Sequence, residues 1–209
     1  MNSKTARAAM NILREAGLGL VSVRMSKVAF HLDYVVFPPV IAGCLYFALG
    51  KLSLLAITIL FIIGFATWTF AEYLLHRFVL HGWPYFAKYH RAHHDDPRAM
   101  IASPTLFTLG VFASLAFLPA ALFLGLWTAL PWFAGFLSGY MAFAAVHEFV
   151  HHSENQGRVL RYFKRLHARH HHGTEDRNFG VLTGFWDRVF GTLEGPRRSR
   201  RPKDLRPAR

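Results

Sequence analysis

Residues 52–75 run for 24 positions with Glu72 as their one charged side chain, enough to cross a hydrocarbon layer that takes roughly 20 helical residues. Three more apolar runs accompany this one, at about 34–49, 101–124 and 126–146. Inside a bilayer each backbone N–H and C=O must be satisfied by its own segment or a packed neighbour, so such runs fold as helices. Gly50-Lys51 joins the first to the second, and Gly125 alone joins the third to the fourth. Links this short make antiparallel neighbours, and the runs read as two helical hairpins. Pro38 and Pro39 sit early in the first and shortest run, which is expected to be tilted or only partly inserted. The expected fold class is all-α, an integral membrane bundle of about four transmembrane helices.

Charge supplies the orientation. The chain is 53% hydrophobic and yet carries a formal +12, and the length of 209 residues suits one domain. Lys4, Arg7, Arg14, Arg24 and Lys27 lie among apolar residues near the start, a segment too charged and too long for a signal peptide and suited to an amphipathic helix on a membrane surface. The expected organisation is an interfacial arm over 1–33, a membrane domain over 34–193 and a basic tail over 194–209. If the hairpins form, the arm, residues 76–100 and everything from His147 onward share one side, and they hold every Lys and Arg except Lys51. By the positive-inside rule that side, with both termini, is the cytoplasm. A basic tail also raises nucleic acid as a partner. Beside four apolar runs, anionic headgroups are the better match, and no nucleic acid is expected. Cys44 is the one cysteine and allows no internal disulfide.

Histidines gather where the apolar runs end. Residues 76–94 read HRFVLHGWPYFAKYHRAHH, and HEFVH and HARHH follow at 147–151 and 167–171. Ten of the thirteen histidines fall into these sets. Residues three and four apart share a helix face, so His90, His93 and His94 can converge, as can His147 with His151, and His167 with His170 and His171. His76 and His81 diverge by about 140° on a regular α-helix. A helix ending between them, encouraged by Gly82 and Pro84, is therefore expected. Imidazole is the commonest metal ligand, and about ten are too many for one ion. Two ions close together are the natural count, in a histidine-rich cap on the cytosolic side.

A cage of this kind at the mouth of a greasy bundle implies a long apolar substrate, a lipid. Imidazoles alone do not choose among zinc, iron, copper and nickel. Saturated carbon offers a Lewis acid nothing to polarise, whereas oxygen activation at iron can break a C–H bond. Zinc readily occupies histidine sites and can replace iron in purified protein.

The series HRFVLH, HRAHH, HEFVH and HARHH, followed by Asn178-Phe179-Gly180 and by WDRVFGT at 186–192, resembles the fatty acid hydroxylase and sterol desaturase superfamily of membrane di-metal oxidases. The resemblance covers roughly residues 71–193. It implies a four-helix membrane anchor under a cytosolic cap, a di-iron centre, and use of O2 with electrons from a separate donor protein. It also implies His76, His81, His90, His93, His94, His147, His151, His167, His170 and His171 as ligands, with His152 and His172 as second choices beside them. His31 belongs to no set and is expected at the interface. No haem-binding cytochrome domain is evident, so reducing equivalents are expected from another protein, which the basic face could dock.

Metal-bound imidazoles usually donate their other N–H to a carboxylate or carbonyl. Glu72, Glu148, Glu175, Asp176 and Asp187 lie close to ligands in sequence, Asp187 being favoured, and Asn178 either orients a ligand or caps a turn. The first functional reading is lipid hydroxylation with a fatty acyl chain favoured, and desaturation starts from the same hydrogen abstraction. Sterol oxidation and carotenoid hydroxylation are the alternatives within the superfamily, because His81-Gly82-Trp83 and the spacing to His90 resemble the carotenoid enzymes' first motif. A membrane metal carrier or sensor is the non-enzymatic alternative, although a transporter would be expected to place ionisable residues within its apolar runs.

Overall fold

The computed structural model describes residues 23–154, 157–173 and 176–195. Residues 1–22 of the expected arm, 196–209 of the expected tail and Glu175 lie outside them. A two-residue strand β1 (Val23–Arg24) pairs antiparallel with β2 (Ile101–Ala102), and Arg24 bonds Asp96 at 2.8 Å. Everything else that is regular is helical. Helices α1 (Lys27–Phe30) and α2 (Asp33–Ala48) form the first long apolar segment. The second is α3 (Leu54–Leu74), capped by the Ser53 hydroxyl accepting from the Ala56 amide at 3.2 Å and continued by a π-helical turn over Leu75–Leu80. Pro84–Asp95 form α4. The third segment, Thr105–Leu124, is α5 (Thr105–Phe112), a π turn over Ala113–Phe117 and α6 (Leu118–Leu124). The fourth is α7 (Leu126–His152). Helix α8 (Arg158–His172) and the short α9 (Phe185–Val189) are the last helices among the described residues.

Among the described residues, four helical segments are thus long and apolar enough to cross a membrane; short turns join them two by two as expected, but the first and second pack chiefly on the fourth and not on each other. The first segment, 22 residues from Lys27 to Ala48, is longer than the run of about sixteen read from sequence, because α1 leads into α2 within it. Gly50 (φ +78) and Gly125 (φ +83) turn the two hairpins in the left-handed conformation that glycine adopts without steric cost. Both turns lie at the same end, where the Lys51 ammonium sits 5.0 Å from the Trp127 ring centre.

Helix α7 is the central post. Half of its most apolar stretch is buried inside the protein, against 17%, 17% and 6% for the other three. It packs on α3 through Gly135 and Gly139, where the backbones nearly touch. A methyl group at Gly135 would stand 1.9 Å from the Phe61 carbonyl oxygen, one at Gly64 1.8 Å from that of Trp132, and one at Gly139 2.6 Å from Trp68 Cβ. Close approach of this kind is how helices associate where lipid removes the hydrophobic drive. Around the contact sits an apolar core of Phe37, Trp68, Phe133, Phe136 and Leu137, while Leu55, Ile62, Leu115, Leu122 and Phe123 point outward, 60–87% exposed, as lipid-facing positions should.

The candidate metal centre

Every histidine set lies at the end of the bundle opposite Gly50 and Gly125. His76 is in the π turn and His81 closes it, His90, His93 and His94 are on α4, His147 and His151 end α7, and His167, His170 and His171 end α8. The expected break between His76 and His81 does not occur. The helix widens instead, with the His81 amide donating to the His76 carbonyl at 3.1 Å. One π turn spans five residues, which brings the two rings to 5.1 Å centre to centre. Gly82 and Pro84 act just afterwards, redirecting the chain into α4.

The ten imidazoles separate into two sets of five. His76, His81, His90, His94 and His170 form one, and His93, His147, His151, His167 and His171 form the other. Within each set one nitrogen per ring lies within 4.8 Å of all the others. The sets meet where His94 and His171 stack at 4.1 Å. Each of α4 and α8 serves both: rings four apart stay together, as His90 with His94 and His167 with His171, and the ring between them, His93 or His170, crosses to the other set. His152 and His172 join neither set.

Facing Nε2 atoms are 2.9 Å apart between His76 and His90, 3.1 Å between His90 and His94, 3.0 Å between His81 and His170 and 2.9 Å between His151 and His167. Two nitrogens bound about 2.1 Å from one ion at a right angle would be about 3.0 Å apart, so the donor sets fit first-row metal ions of high coordination number. Nε2 of His93 and both nitrogens of His171 are buried with no hydrogen-bond partner among the described residues, so each of these rings keeps a nitrogen free for a cation. Burial, reinforced by the neighbouring imidazoles, pulls His81 down to about 4, His93 to about 3 and His171 to about 2. Burial likewise holds His170 down to about 3, and His90 and His167 well below the ordinary histidine range. These rings are therefore neutral near pH 7, the form that offers a lone pair.

The acidic residues do not touch the histidine sets in the way their sequence positions suggest. Glu148 accepts from His31 at 2.8 Å and from the Tyr34 hydroxyl at 3.0 Å, tying the first segment to α7. Glu72 and Asp187 are buried but bond backbone. Asp187 accepts from the amides of Phe179 and Gly180, both at 2.8 Å, and from the Thr192 hydroxyl at 2.7 Å. Glu72 accepts from Val181 at 2.5 Å and Leu182 at 3.3 Å. Asn178 is buried at φ +57; its amide donates to the Thr192 carbonyl at 3.0 Å and its side-chain oxygen accepts from Glu194 at 3.0 Å. Asp176 is exposed. Among the direct partners of the set histidines are two carbonyls that side-chain reasoning could not find: His76 Nδ1 donates to Phe179 at 2.5 Å, and His170 Nδ1 to Arg177 at 2.9 Å. The signal for them in the sequence was the Asn178-Phe179-Gly180 motif.

The family model for fatty acid hydroxylase matches residues 61–192. The ceramide very long chain fatty acid hydroxylase of Saccharomyces cerevisiae is 34% identical over 187 residues, covering 82% of this chain and 47% of the yeast protein. One dihydroceramide fatty acyl 2-hydroxylase of Arabidopsis thaliana is 31% identical over 175 residues, covering 76% of this chain and 71% of that protein. A solved structure of full-length Scs7p, in which only the hydroxylase domain is visible, superposes with a TM-score of 0.73 at 31% identity, covering 87% of this chain and 70% of that one. The chain spans about half the length of the two yeast relatives it matches. Together with the histidine sets and the four apolar segments, these likenesses show that the chain belongs to the fatty acid hydroxylase family.

Proposed function

We propose that this chain is a membrane oxidoreductase that hydroxylates the hydrocarbon part of a lipid, with a fatty acyl chain as substrate, at a centre of two iron ions. The observation that carries the reading is the pair of five-imidazole sets at the end of a bundle of four apolar helices. Relatives named as ceramide and fatty acid hydroxylases support the substrate class. Two iron ions held by the ten histidines would supply the activation of O2 and the cleavage of an unactivated C–H bond. The chain's own part is to present neutral imidazoles, keep them buried and place them where the apolar segments end, so that an acyl chain reaches them from the bilayer. Converting R–H and O2 to R–OH and water takes two electrons and two protons, so a separate electron-donor protein is part of the reading. Its docking site is the basic cap.

The same reading places the cap and both termini on the cytoplasmic side, since Lys51 is the one Lys or Arg at the opposite end of the described bundle. Residues 34–193 form the catalytic membrane domain, 1–33 an interfacial arm, and 194–209 a basic tail suited to anionic headgroups. Lipid mass spectrometry of cells with and without the protein, grown under labelled O2, tests the function. A labelled hydroxyl on an acyl chain is the expected product. A new double bond without label would replace hydroxylation by desaturation, and an unchanged lipid profile in the presence of a competent electron donor would refute the assignment.

A further inference from the structure

The two histidine sets differ in what stands behind them. In the set of His76, His81, His90, His94 and His170, two rings are locked from outside by the carbonyls of Phe179 and Arg177. A carbonyl only accepts, so Nδ1 of each ring carries the hydrogen and Nε2 is left with its lone pair facing the set. These carbonyls belong to one segment, 177–182, whose own amides are pinned: Phe179 and Gly180 by Asp187, Val181 and Leu182 by Glu72. Side chains are excluded at Gly180, where a methyl group would lie 2.1 Å from the Thr183 carbonyl oxygen. Both carboxylates are buried, Asp187 completely. In the set of His93, His147, His151, His167 and His171, the buried Nδ1 of His167 and both nitrogens of His171 have no such partner among the described residues. Among the described residues, no carbonyl or carboxylate locks the rings of His167 and His171 from outside.

We propose that the two sets bind metal unequally, the His76 set being the tighter site, and that Asp187 and Glu72 are positioning residues that set its affinity through the backbone of 177–182. The inference rests on the metal-centre reading above and adds an order of filling to it. Outer partners of metal-bound histidines are worth roughly 10–100-fold in affinity. A set with two rings oriented in advance therefore fills first, and the unanchored set holds the exchangeable ion.

The test is a titration of the metal-stripped full chain in detergent with Co2+, read by visible absorption and by competition with a chelating dye. The wild type should bind two ions in two steps separated by at least about 10-fold. His90→Ala should remove the tighter step, and His151→Ala the weaker one, leaving the absorption bands of the tighter ion in place. Asp187→Asn, which leaves one of the bound amides facing an NH2, should weaken the tighter step by about 10–100-fold without moving the weaker one. Glu72→Gln, at the other end of the segment, should act in the same direction. Two equal steps in the wild type, or a tighter step that survives His90→Ala and is lost in His151→Ala, would overturn the order. An unchanged tighter step in a folded Asp187→Asn would overturn the role of the segment, with folding read from the helical circular dichroism. If Asp187→Asn does not fold, the two histidine variants still decide the order. Uptake of no Co2+ at all by the wild type would overturn the metal-centre reading itself, an outcome distinct from two equal steps.

Discussion

The contact between α3 and α7 makes a prediction whose sign changes from one glycine to another. In Gly135→Ala the new methyl would meet the Phe61 carbonyl oxygen at 1.9 Å, about 1.5 Å short of ordinary contact at 3.4 Å. The obstacle is backbone, so relief requires the helices to part, and gaps of 0.5–1 Å already forfeit a quarter to a half of each dispersion contact nearby. Overpacking of this kind costs about 1–3 kcal/mol, and the large shortfall places Gly135 toward the upper end. Gly43 and Gly110 are also helical, and a methyl at either meets nothing within 4 Å. There the substitution should stabilise by about 0.5–1 kcal/mol, because alanine loses less conformational freedom than glycine in a helix. Gly135→Ala and Gly43→Ala should differ by about 2–4 kcal/mol in opposite directions. Thermal unfolding in detergent reads this as a lowered against a raised Tm, at roughly 2–4 °C per kcal/mol for a chain of this size. A Gly135→Ala variant as stable as wild type, or Gly43→Ala as the more damaging of the two, would refute the geometry.

His90→Ala and His151→Ala should each abolish lipid oxidation while the protein remains membrane-inserted, as measured by product formation alongside carbonate extraction; product from either at the wild-type rate would remove that ring from the centre. Glu148→Gln should leave the metal stoichiometry unchanged and cost about 1 kcal/mol or less, since Glu148 bonds a partly exposed His31 and not a member of either set; loss of a metal ion would contradict this. Acid should destabilise the metal-free protein. His81, His93 and His170 titrate at about 3 to 4 when folded against 6.5 unfolded, so the unfolded chain binds more protons below pH 6.5 and stability falls as the pH drops from there toward 4. A Tm that stays flat between pH 7 and pH 5 would contradict it.

The helices and the membership of the histidine sets were legible because both are local: apolar length announces a span, and spacings of three and four announce a shared face. The partition into two clusters was not. His90, His93 and His94 share one face of α4, and only the placement of α3, α7 and α8 around that face sends His93 to one set and its neighbours to the other. Glu72 and Asp187 were legible as residues near the site but not as holders of amides, because their partners are backbone atoms more than a hundred residues away in the first case and around a turn in the second. His31 looked solitary for a similar reason, its partner lying 117 residues further along the chain.

The π turn over Leu75–Leu80 gives this chain a spacing that is counted in single residues. A π turn is an α-helical turn holding one residue more than it needs. Deleting one residue between His76 and His81 would let the segment relax to a plain α-helix, better bonded than before. The chain beyond would leave the helix in nearly the same phase, because the wider turn carries its extra residue through almost the angle that an α turn covers without it. The span would still cross and its hydropathy would hardly change, yet the two histidines would stand four apart on a narrower turn, without the separation that the wider turn gives their rings. At this point the helix behaves like a frame for reading histidines, in which a one-residue slip keeps the fold and garbles the message.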